Sequence, residues 1–270
     1  MSAPTTSSIA AVSRAPRTGP PEWLRFAAPI ALGVILVAIW ILVVDVLKIA
    51  PRALPSPVAI GENIVQHLGI ILEDMGVTAG NALVGLIVGT IVGIALAAVA
   101  ATLRPVDGML VPIIAAIAVV PIVAITPILN TMFGASSQFG RQAVAGLAAF
   151  VPVFINVLRG LRQTRPVHRD LLRSSAANGW QTFGKLTLPT ALPYLLTGLR
   201  IASSLAVISA LVAEYFGGPS DGIGTAIATY AKSGRAALAW AYVAGGIVIG
   251  LAAVLVTTLP ERRVLGRRSG

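Results

Sequence analysis

Six long apolar runs, separated by short polar intervals, set the pattern of this chain. They cover residues 27–46, 78–103, 109–128, 143–161, 191–212 and 236–259. A helix rises 1.5 Å per residue, so about twenty apolar residues cross roughly 30 Å of hydrocarbon. The stretch LVGLIVGTIVGIALAAVAA, which begins at Leu83, has no polar face at helical period. A soluble bundle would need such a face, so the pattern predicts an all-α membrane protein of six spans.

The intervals have patterns of their own. In residues 45–77, LPSP (Leu54 to Pro57) marks a turn in which Ser56 can cap a helix and Pro57 can start it. Ile60, Ile64, Val65, Leu68, Ile71 and Leu72 then recur at helical spacing, with Glu62, Asn63, Gln66 and Glu73 elsewhere. An amphipathic helix lying on the interface or against the bundle is expected, as a packing element rather than a solute contact. In the interval after the fourth run, Arg159, Arg162, Arg165, Arg169 and Arg173 form a basic stripe that faces lipid headgroups in part. Pro166 can open a short helix reaching Ala177, Asp170 near its start suits the helix dipole, and Asn178-Gly179 supplies a stop. Leu171, Leu172 and Ser175 make one face of that helix, a small apolar knob for a groove in a partner. A second turn, 180–188, then leads to Pro189 and the fifth run.

Within the spans, Gly85, Gly89 and Gly93, and again Gly246 and Gly250, stand at positions where small residues let helices approach closely. The third run holds Pro112, Pro121 and Pro127. Proline removes a backbone donor and kinks a helix, so a broken helix is expected that either lines a pathway or only bends. Arg200, in the fifth run, is expected to reach back to the interface. Glu214, near the end of that run, reads first as a solvated interfacial acid and otherwise as a gate, a solute contact or the partner of a base. Asn81, Asn156, Thr197, Ser203, Ser204 and Ser209 are expected to hydrogen-bond between helices. Arg200, Ser204, Glu214 and Pro121 are the candidates for lining a translocation path. The following GGPSDGIGTAI, from Gly217, is glycine-rich, and its flexibility suits a gate or docking surface.

Composition agrees with the pattern: 56% hydrophobic residues, 11% charged and a mean hydropathy of +0.87. There is no cysteine, and His67 and His168 fall on opposite sides of a six-span topology, so neither a metal site nor a cofactor is expected. With the N-terminus inside, 14 basic residues fall on the inner side and 5 on the outer, with Arg200 inside a span. The positive-inside rule therefore places both termini in the cytosol. Residues 1–26 read as a disordered cytoplasmic tail, 27–259 as the membrane domain with a cytoplasmic loop at 162–190, and 260–270 as a basic tail. The net charge of +10 follows this topology, and nucleic acid is not an expected partner.

One stretch carries a resemblance. Asp170-Leu171-Leu172, Ala176-Ala177, Trp180, Phe183, Leu188-Pro189 and ALPYLLTGLRIA resemble the coupling loop of bacterial ABC-transporter permease subunits. Asp170 stands for the family's Glu, Leu171 and Leu172 for two alanines, and Ala176 for its glycine. LPSP, Phe133-Gly134 and LRIASSLAVISALVAEYFGGPSDGIG extend the likeness over about residues 54–259. The likeness is to the branch of sulfonate, taurine, nitrate and thiamine-precursor pyrimidine importers, and the wording EYFGG leans toward the last. It implies a type I importer (MetI-like) permease fold and ATPase coupling through Asp170, Leu171, Leu172, Ser175, Ala176, Ala177, Leu188 and Pro189. It also implies ABC ATPase subunits, a second permease copy and a solute-binding protein as partners, besides the surrounding membrane lipid. The residues agree on one point independently: no G-x-x-x-x-G-K-[ST] occurs, so ATP hydrolysis would belong to another chain. Six spans are also few for a whole pathway, which favours a dimer with an identical or related partner. The alternative, an ion-coupled secondary transporter, would show midplane ionisable residues and matching broken helices in two repeats. A membrane enzyme would show clustered catalytic groups.

Overall fold

A computed structural model describes residues 22–134, 137–217 and 221–266. Every regular element among them is helical. The first, α1 (Glu22–Val46), is a unit of its own, with every side chain over 28–39 exposed. It begins inside the expected tail, and residues 1–21 lie outside the described ones.

The second unit starts with α2 (Pro57–Gln66), where Ser56 Oγ accepts the Ala59 amide at 3.2 Å and Pro57 opens the helix, as the LPSP pattern predicts. The expected amphipathic helix is divided at His67. Leu68 already belongs to α3 (Leu68–Thr102), whose 35 residues exceed one membrane thickness. α4 (Arg104–Val119) and α5 (Ile122–Phe133) occupy the third run. They meet at 96°, the broken helix that the prolines of the third run lead one to expect. Of the three prolines only Pro121 breaks the chain: its ring holds Val120 extended (ψ 124°), and it has no amide to continue a helix. Pro112 and Pro127 stay inside their helices.

α6 (Gln138–Arg162) is the hub, packed between α3 and α9 (Leu188–Phe216). Glycine makes both contacts close. A Cβ on Gly89 would overlap the Gly146 carbonyl, and one on Gly93 would lie 3.0 Å from Val153 Cγ1. On the other side, Gly160 meets Ala191 and Tyr194, and Gly198 meets Asn156. The second expected glycine stripe is half realised: Gly246 faces Leu211, but Gly250 has open space. α10 (Ile223–Lys232) and α11 (Ala236–Gly266) complete the unit, α11 running into the basic segment expected as a tail.

Between α6 and α9 the chain makes α7 (Pro166–Ser174), α8 (Gly179–Thr182) and a π turn, Phe183–Thr187. These define a loop end of the bundle, the opposite end being the far end. α4 starts at the loop end, where Asp107 pairs with Arg162, and α5 finishes at the far end, where Asn130 lies against Gly140 and Gly217. The bent pair therefore passes from end to end as one broken span. With it, six segments among the described residues are long and apolar enough to cross a membrane.

Candidate functional site

The loop departs from its expected shape at both ends. α7 stops at Ser174, and Ala176 adopts φ 55°. The Ala176 amide donates to the Arg173 carbonyl at 2.9 Å and the Ala177 amide to Leu172 at 3.0 Å, a Schellman ending that normally places glycine where Ala176 stands. That conformation supplies a physical reason for a glycine in the family pattern. Asn178 is then no stop. It caps α8, accepting the Gln181 amide at 2.8 Å while Gln181 Oε1 accepts the Asn178 amide at 2.9 Å. Asp170 lies beyond the first turn of α7, away from the dipole position assigned to it.

Nothing on α7 or α8 is buried. Val167 (73% exposed), Leu171 (65%) and Trp180 (84%) project freely, and Trp180 meets Phe183 edge-on at 6.3 Å. Leu172 and Ala177 are half-buried, whereas Asp170, Ser175 and Ala176 are exposed. The run from Gly179 to Phe216 is continuous, so Leu188-Pro189 lies inside a helix rather than closing a loop. The π turn makes this possible. In a regular helix the Pro189 ring would strike the Lys185 carbonyl; here the widened turn bonds the Leu188 amide to the Phe183 carbonyl.

Near the middle of α9, Arg200 does not simply reach solvent. Its Nη1 lies 3.3 Å from Glu261 Oε2 on α11, and Thr197 donates to Glu261 Oε1 at 2.9 Å. Ser203 and Thr257 bond across the same seam at 3.1 Å.

The far end of α9 corrects the reading of Glu214 as a solvated acid. Glu214 is fully buried. Its carboxylate accepts from Thr78 Oγ at 2.8 Å, the Gly224 amide at 3.0 Å and Asn81 Nδ2 at 3.3 Å. Thr78 also accepts the Ile223 amide at 2.9 Å, and Asp74 accepts that of Gly222 at 2.9 Å. Three successive amides at the start of α10 are thus held by three side chains from α3 and α9. This replaces the side-chain cap that Gly222 cannot provide. A Cβ at Gly222 would sit 2.7 Å from the Glu214 carboxylate, so the glycines serve close approach to an acid. From Asp221 onward the segment read as a flexible gate is pinned; residues 218–220 lie outside the described ones. Beside the cage, Arg141 is fully buried and pairs with Asp221 at 3.0 Å, while its Nη1 also donates to Gln138 Oε1 at 3.1 Å.

The four path candidates do not converge within one chain. Arg200 and Glu214 are fourteen residues apart on α9, about 21 Å along its axis. Ser204 is half-buried, and Pro121 is exposed at the break in the third span. A cleft of about 370 Å³ at that break is lined by Ile117, Val120, Leu147, Pro152, Asn156 and Leu205. Asn156 turns its amide back to the Pro152 carbonyl. Sequence reasoning did not single out Arg141, Asp74 or Glu261; Arg141 entered only as one of the five basic residues counted on the outer side. For Arg141 a signal existed, a lone cation inside the small-residue run QFGRQAVAG. Its partner stands eighty residues away, and no periodicity links the two.

Residues 85–266 match the family described as "Binding-protein-dependent transport system inner membrane component". A probable ABC transporter permease protein of Haemophilus influenzae is 29% identical over 74% of this chain and 81% of its own length. The formylaminopyrimidine transport permease protein ThiX of Halalkalibacterium halodurans is 32% identical over 64% and 69%. A crystal structure of an amino acid ABC transporter with histidines superposes at TM-score 0.61 over 74% of this chain and 96% of that one, at 15% identity, and so supports the fold alone. The resemblance carried by the loop and by LRIASSLAVISALVAEYFGG is thereby established, and the chain belongs to the inner-membrane permease subunits of binding-protein-dependent ABC importers.

Proposed function

We propose that the chain forms half of a translocation path for a small solute of the sulfonate, nitrate or thiamine-precursor pyrimidine kind. A solute-binding protein delivers the solute, and a separate ATPase drives transport. One observation carries the coupling half of this reading: α7 and α8 stand out from the bundle with none of their residues buried. Exposed Leu171 and Trp180 suit a groove in a soluble partner. The loop end is then cytosolic, the membrane domain spans 27–259, and 162–190 is the coupling loop, with Asp170, Leu171, Leu172, Ser175, Ala176 and Ala177 at the docking face. Leu188 and Pro189 pass its motion to α9. ATP draws two ATPase subunits together, and two permease copies, identical or related, change between inward- and outward-facing states biased by nucleotide and loaded receptor. Pro121 and Ser204, near the cleft at the broken span, line the path in this scheme.

The chain lacks cysteine, so a single cysteine at Ser175 is a clean probe. Cross-linking in membranes is expected to capture an ABC ATPase, with a yield that nucleotide changes. Uptake driven by an ion gradient alone, with no ATPase captured, would refute the reading.

A further inference from the structure

The helices around α9 are joined unequally. Toward α6 its loop half is closed by glycine: Gly160 against Ala191 and Tyr194, Gly198 against Asn156. Its far end is fixed to α3 and α10 by the Glu214 cage, and α11 packs there too, Gly245 against Ile223 and Gly246 against Leu211. The loop end of the α9–α11 seam differs. Its contacts are the Thr197–Glu261 and Ser203–Thr257 hydrogen bonds and the Arg200–Glu261 pair. Glu261 is 8% exposed and Arg200 44%, and Glu261 Oε2, though buried, receives no aligned hydrogen bond. A groove of about 260 Å³ between α3, α9 and α11 reaches this seam at the Ser203–Thr257 contact, bordered by Ala82, Leu86, Val207, Ala253 and Val256. Helices flanking an open groove touch each other less there, and a half-satisfied buried carboxylate is costly to keep. A boundary with both features is the one that parts most easily.

We propose that this loop-end seam between α9 and α11 is the sliding plane of the transport cycle, and that Arg200 and Glu261 are positioning residues holding its resting register. The proposal rests on the importer reading above. When the ATPase pulls on α7 and α8, α9 moves at its loop end together with α6, while its far end stays joined to α11. Arg200 thus acts on a neighbouring helix rather than on the solute.

The test uses the assembled transporter in membranes, with two cysteine pairs on the cysteine-free chain. Arg200→Cys with Glu261→Cys reports the loop end of the seam; Leu211→Cys with Gly246→Cys reports the far end of the same two helices. With a short bifunctional thiol reagent, trapping nucleotide on the ATPase is expected to lower the loop-end yield several-fold and leave the far-end yield unchanged. Cross-linking the loop end should stop uptake until the linker is cleaved. Equal behaviour of both pairs, or normal uptake with the loop end cross-linked, would overturn the sliding plane. ATPase co-purification is scored on the same preparation. A missing ATPase counts against the importer reading, whereas a bound, hydrolysing one beside an unmoved seam counts against this inference alone.

Charge exchange supplies a second readout. Arg200→Glu and Glu261→Arg, each alone, should raise the ATP consumed per solute moved by about tenfold, and the double variant should return to within about threefold of the parent. Hydrolysis and uptake falling together with the amount of folded protein would mean that the pair serves stability only.

Discussion

Two carboxylates meet α9 inside the bundle, Glu214 at its far end and Glu261 of α11 beside its middle, and they are held differently. At the far end Glu214 has three donors, two of them side chains of α3 and one the α10 backbone. Beside the middle, Glu261 has one hydroxyl and one loosely placed guanidinium that is nearly half exposed. A fully bonded buried acid rigidifies its surroundings, because each partner would be left unpaired if it moved. A partly bonded acid beside a groove can exchange partners at small cost. The contrast places a firmly held and a loosely held point about 21 Å apart along one helix, with the α7–α8 loop on the side of the looser one.

Breaking the firmly held point should have the largest effect. Glu214→Ala strands Thr78, Asn81 and the Gly224 amide in the interior and is expected to cost about 3–5 kcal/mol, seen as loss of folded transporter in detergent melting. Glu214→Gln keeps the shape and should cost less; equal loss from both would mean that charge rather than shape holds the cage. Next comes Gly224→Ala, whose new methyl would meet the Leu211 carbonyl and cost about 1–3 kcal/mol in the same assay. At the looser point Glu261→Gln should alter stability by only about 1 kcal/mol, and a loss matching Glu214→Ala would erase the contrast between the two points. The smallest effect is a gain. Ala176→Gly relieves the left-handed residue that ends α7 and should slow amide exchange across 171–177 by about fivefold, roughly 1 kcal/mol, measured by mass spectrometry.

The stretches legible in advance were those in which the signal is local. The Ser56-Pro57 start of α2, the Pro166 start of α7 and the Gly85, Gly89, Gly93 stripe all behave as read. Each depends on residues within a few positions or on a helical period. Local reading misjudged Asn178, because the same dipeptide can stop one helix or cap the next, and the capping box with Gln181 decides for the cap. It also took Gly222 and Gly224 for flexibility, when they make room for a carboxylate arriving from another helix. Glu214 itself looked solvated because nothing near it in the chain announces Thr78 and Asn81, 136 and 133 residues away.

The sequence by itself determined that the protein is a membrane protein and which stretches are apolar enough to cross, since the transfer of apolar residues into hydrocarbon is additive and needs no partner. It also determined the family, through residues that stand close together in the loop and along α9. The tertiary structure alone decided which charges are buried and with whom: Arg141 with Asp221, Arg200 with Glu261, Glu214 with the start of α10. The reason is physical. Burying a charge is tolerable only where donors or an opposite charge meet it, and those partners converge only once the helices have packed.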